Sequence, residues 1–121
     1  MAEPSDASDE LRSTLVLDDD GETILDTGLR YRDSEPVLIR VRRRGRRYDI
    51  TDDGAAVSLA GRPGGWLERV ERLVAAEGFN VNRRGVLFVP AVAGRDITSL
   101  ALRLADTSRS AYLDLLEAAT R

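Results

Sequence analysis

Residues 37–54 read V-L-I-R-V-R-R-R-G-R-R-Y-D-I-T-D-D-G. Over 37–43 the side chains alternate: Val37, Ile39 and Val41 share one face, and Leu38, Arg40 and Arg42 share the other. A repeat of two is the period of a β-strand half-buried in a sheet. Arg44-Gly45 reads as a tight turn, and residues 47–51 return with Tyr48 and Ile50 on a common face. Asp52-Asp53-Gly54 ends the second strand and opens a short helix over 55–60. Either aspartate is placed to accept from the first free N–H groups of that helix, where negative charge also suits the dipole.

Upstream, Asp33-Ser34-Glu35-Pro36 reads as a turn, because proline fixes its own φ and drives its predecessor toward extended geometry. Residues 29–32 begin a strand, and Asp26-Thr27-Gly28 is a turn before it. Leu15-Val16-Leu17 and Thr23-Ile24-Leu25 around Asp18-Asp19-Asp20-Gly21 read as a hairpin, with a helix over 9–15 as the alternative. The aspartates do not fit a calcium loop: counting from Asp18, Thr23 and Leu29 stand where glycine and glutamate belong. Residues 1–9 have the composition of a disordered acidic tail, leaving 10–121 as a single domain.

Downstream, Gly61 fits a left-handed cap and residues 62–65 a linker. Residues 66–77 form an amphipathic helix with Trp66, Leu67, Val70, Leu73 and Val74 on one stripe. Residues 79–81 and 86–89 read as another hairpin across Asn82-Arg83-Arg84-Gly85, ended by Pro90. The remainder is helical, either one helix over 97–119 or two, broken near Asp106-Thr107-Ser108. The fold class is α+β: a small, mainly antiparallel sheet of two or three hairpins from 15–51 and 79–89, covered on one face by the helices at 66–77 and 97–119.

Composition limits the chemistry. The chain has 121 residues and no cysteine or histidine, which excludes disulfides, thiolate ligands, thiol nucleophiles and the commonest general base. All eighteen basic residues are arginine. No apolar run reaches the roughly 20 residues of a membrane span, and the first residues lack the pattern of a signal peptide, so a cytoplasmic location away from membranes is expected. The net charge of −3 hides a gradient: residues 1–35 balance to −8, residues 36–51 to +5, and the rest to zero.

The order of elements, with Ile50-Thr51-Asp52-Asp53-Gly54 between a strand and a helix and G-F-N-V at Gly78 opening a later hairpin, resembles an uncharacterised prokaryotic and phage family, domain of unknown function family 1828. The resemblance spans residues 9–116 and rests on the T-D-D-G box. It implies a compact α+β domain from a bacterial or phage setting, with a hint of mobile-element conflict. It carries over no catalytic residue.

Two surfaces could carry chemistry. Arg40, Arg42, Arg43, Arg44, Arg46 and Arg47 load one hairpin; alternation allows Arg42, Arg44 and Arg47 to form a patch, which Arg83 and Arg84 would extend if both hairpins share a sheet. Guanidinium forks take carboxylate or phosphate in pairs of bonds, so the expected partner is an acidic protein or a nucleic acid. The simpler alternative is a solvated edge strand guarded by charge. Asp52 and Asp53 are either helix-cap residues or magnesium ligands of a small nuclease; the chain has no lysine to steady a phosphate beside them. A non-catalytic binding or regulatory module without a cofactor is the favoured reading, with the metal-dependent nuclease as its rival. An exposed sheet edge would allow a homodimer.

Overall fold

The computed structural model describes residues 21–120. The first arm of the 15–25 hairpin, its helical alternative, the Asp18 loop and the 1–9 tail lie outside the described residues.

Among the described residues, five strands form one antiparallel sheet in the order β1-β2-β3-β5-β4, with β1 at Glu22–Arg32, β2 at Glu35–Arg44, β3 at Arg47–Thr51, β4 at Asn80–Val81 and β5 at Leu87–Val92. The fold is α+β, as the alternation and the helical stripes predict. Both hairpins do share one sheet, joined by the β3–β5 pair.

Two expected turns are instead irregularities within strands. Asp26-Thr27-Gly28 bends β1 without ending it, and the β1–β2 register shifts between Asp26 and Arg30. The Asp26 carboxylate accepts from Gly28 N–H at 3.0 Å, and the Thr27 hydroxyl donates to the Val37 carbonyl at 2.7 Å. The local turn chemistry is present, but long pairing partners on β2 carry the strand through it. Pro90 likewise does not end β5. It sits where the β3–β5 register slips, beside Ala91 at φ 57, so its missing N–H falls at a bulge.

Helix α1 spans Ala55–Ala60, α2 spans Trp66–Ala76 and α3 spans Ile97–Ala119, the last entered through a single 3₁₀ turn at Gly94–Asp96. The C-terminal region is therefore one helix of 23 residues. Of the polar run expected to interrupt it, Thr107 and Ser108 face the interior and Asp106 faces outward, so the helix continues through it. Helix α2 ends in a Schellman motif, with Phe79 N–H on the Val74 carbonyl and Gly78 N–H on that of Ala75.

The core lies between the sheet and α3, which touches β1, β2, β3 and β5. Val37, Ile39, Val41 and Ile50 meet Leu104, Ala105, Ala111 and Leu115 there, all fully buried. Helices α1 and α2 pack onto α3, and a two-point pair from Arg69 to Asp114, at 2.9 and 3.0 Å, fastens α2 to it. On the opposite face of the sheet Ile24, Leu38, Arg42 and Arg44 are exposed. No described helix is long and apolar enough to cross a membrane.

Candidate functional site

Strand register decides where the arginines point. Arg40 pairs with Thr51, Arg42 with Asp49 and Arg44 with Arg47, so Arg40, Arg42, Arg44 and Arg47 stand together on the open face. Glu22 and Ile24 pair with Arg42 and Arg40 from the other side and join that face.

This row is not a free basic stripe. Arg40 donates from Nη1 to Glu22 and from Nε to Asp53, both at 2.9 Å. Arg42 shares Glu22 at 3.3 Å, and Arg44 grips both carboxylate oxygens of Asp49 at 3.0 and 3.1 Å. The Asp53 and Glu22 carboxylates hold the Arg40 guanidinium above its already high pKa. The expectation of an unpaired Arg42–Arg44 patch is thus corrected: the fold returns Glu22, Asp49 and Asp53 to arginines that look isolated in the linear chain.

The hairpin tip differs. Gly45 at φ 64 and Arg46 make the turn, with Arg43, Arg46 and Arg47 exposed around it. Among the described residues none of these three reaches a carboxylate; Arg47 touches only the Ala91 carbonyl, at 3.5 Å. Arg83 and Arg84 do not extend the tip. Strand β5 runs antiparallel to β3, pairing Thr51 with Phe88 and Tyr48 with Val92, which puts the Asn82–Gly85 turn at the opposite end of the sheet. At ~3.3 Å per strand residue the two turns stand roughly 20 Å apart.

The Asp52 corner is also different from expectation. Asp52 is 1% exposed and does not cap α1, whose N-cap is Gly54 with no side-chain cap bond. Its Oδ1 accepts from Gly54 N–H at 2.7 Å and Leu87 N–H at 3.0 Å, and its Oδ2 accepts from the Ser108 hydroxyl at 2.6 Å. The Tyr31 hydroxyl in turn donates to Ser108 at 2.7 Å, making a buried chain from β1 through α3 to the corner. Burial pushes Asp52 above its ordinary pKa against the pull of its three donors, and burial likewise pushes Tyr31 up to about 12. Ser108 carries a signal that was readable: it sits on the helical stripe of Ala101, Leu104, Ala105, Ala111 and Leu115, where a hydroxyl requires a partner.

Asp53 takes φ 58 and turns outward to Arg40, so the two carboxylates diverge. Among the described residues no group of three acidic, histidine or cysteine side chains could hold a metal ion. The oxygen set a magnesium nuclease needs is not assembled here: one carboxylate is spent on internal donors and the other on a guanidinium.

A scan against protein-family models, a search of the curated proteins and a search of the solved structures each return no match. The site therefore stands on its own geometry. Beside the corner, a cleft of about 410 Å³ opens between α1 and the β1–β2 hairpin, with Ile24, Pro36, Leu38 and Leu59 as apolar walls and Arg40 and Asp53 at its polar side.

Proposed function

We propose that this chain is a non-catalytic binding module that takes an acidic protein partner at the β2–β3 tip through Arg43, Arg46 and Arg47. The observation that carries this reading is the contrast along one hairpin: Arg40, Arg42 and Arg44 each hold a carboxylate of the chain, and the three tip arginines hold none among the described residues. An acidic side chain from a partner would repeat at the tip the pairing the sheet already uses. A nucleic acid fits less well, since a phosphate track wants a continuous basic row and this one is neutralised after the tip. The resemblance to the family with the T-D-D-G box supports a bacterial or phage module of this kind, acting in the cytoplasm.

The test is fluorescence anisotropy with a short Asp/Glu-rich peptide and, separately, a short duplex DNA. Arg43→Glu/Arg46→Glu should weaken peptide binding by more than about tenfold, because like charges would then face each other. Arg42→Glu/Arg44→Glu should weaken it much less. Equal losses in the two variants would return the site to the open face. Tight, steeply salt-dependent duplex binding with none to peptide would replace the protein partner by nucleic acid.

A further inference from the structure

Helix α3 has a second face that the fold leaves unused. Leu102, Asp106, Arg109 and Leu113 are all exposed, and Leu102 and Leu113 remain 38% and 47% accessible. Their spacing of four, three and four residues lines them up within about 60° of arc. They lie on the far side of the helix from Leu104, Ser108, Ala111 and Leu115, which face the sheet. Neither Asp106 nor Arg109 has an ion-pair partner among the described residues. Neighbouring Arg103 is otherwise engaged, with Glu77 at 3.7 Å and over the Phe79 ring at 5.2 Å.

The order apolar, acidic, basic, apolar is its own complement when reversed. Two copies of α3 laid antiparallel, with a twofold axis passing between Thr107 and Ser108, bring Leu102 level with Leu113 of the second copy. The same axis brings Asp106 level with Arg109. The leucine contact and the ion pair then each form twice, as an isologous interface requires. We infer that this stripe is the contact surface of an antiparallel homodimer, the partner being a second copy of this chain. It is distinct from the sheet edge that the sequence suggests for self-association. A single helix pair buries less than the roughly 1,200 Å² of a stable interface, so the dimer is weak and concentration-dependent. It sits opposite the open sheet face and leaves both hairpin tips free.

Sedimentation velocity over a concentration series tests this. Wild type should pass from monomer to dimer as concentration rises. Asp106→Arg and Arg109→Asp, each placing like charges opposite one another, should each weaken association by more than about tenfold with unchanged thermal melts. The double variant D106R/R109D should recover it, because the pairs re-form with signs exchanged. A wild type monomeric at every concentration overturns the proposal, as does a dimer indifferent to the single inversions, or a folded double variant that stays monomeric. The chain has no cysteine, so a crosslinking check is clean. L102C/L113C should join into a covalent dimer with a short bismaleimide, while L102C alone should not, its two sites lying about 16 Å apart along the helix. Crosslinking of L102C alone would reveal parallel helices and refute the register.

Discussion

Asp52 gathers donors from three separate places: the next turn at Gly54, strand β5 at Leu87 and the middle of α3 at Ser108. Removing such an acceptor strands all three, and stranded buried donors are costly. Asp52→Ala is expected to lose about 3 kcal/mol or more in urea unfolding. Asp52→Asn keeps one oxygen for the backbone donors and should lose less. The pH dependence has a definite sign. Because the folded pKa of Asp52 is raised, the native state keeps a proton that the unfolded chain has already released. Its contribution is full below the ordinary carboxylate pKa and is lost as pH rises through the raised value. The stability of wild type relative to D52N should therefore fall with rising pH across that window. A gap that stays flat, or widens, would mean Asp52 is ionised throughout.

Turns at this scale divide into those that touch something and those that do not. A Cβ on Gly85, at φ 86, would come within 2.9 Å of Val57 on α1, whereas one on Gly45, at φ 64, would meet nothing within 4 Å. Gly85→Ala thus adds a clash to backbone strain and should cost about 1–3 kcal/mol more than Gly45→Ala, read from thermal or urea midpoints. Equal costs would show that the Asn82–Gly85 turn is not pressed onto α1. Elements with strong periodicity were readable in the linear chain. The alternation in β2, the stripe in α2 and the short α1 all lie where the pattern predicts. Asp26-Thr27-Gly28 and Pro90 were not, because turn residues signal a local bend and cannot say whether strand pairing resumes beyond it. Asp106-Thr107-Ser108 misleads for a related reason: Asp106 points outward, and the buried Ser108 hydroxyl is satisfied by Asp52, more than fifty residues away.

For the molecule as a whole, one core joins sheet and helices, and the buried Tyr31–Ser108–Asp52 chain fastens β1 and the Asp52 corner to α3. Unfolding should be a single event. The lone Trp66 reports on α2 by fluorescence and circular dichroism reports on the whole, so their urea midpoints should coincide. Separate midpoints would mark α2 as an independent unit. Linear charge is the weakest guide at this scale. The basic block at 36–51 looks like an open invitation to anions, yet strand pairing sets Glu22 and Asp49 beside it and the corner adds Asp53. Only the tip keeps the character that composition suggests.

The kink in β1 has a consequence for solubility. Among the described residues β1 is an outermost strand of 11 residues, and such a strand would ordinarily template a foreign strand along its whole length, the first step toward fibre growth. Here the ladder runs regularly from Glu22 to Asp26 and then slips, so an incoming chain finds about five residues of matching geometry before its hydrogen bonds fall out of step.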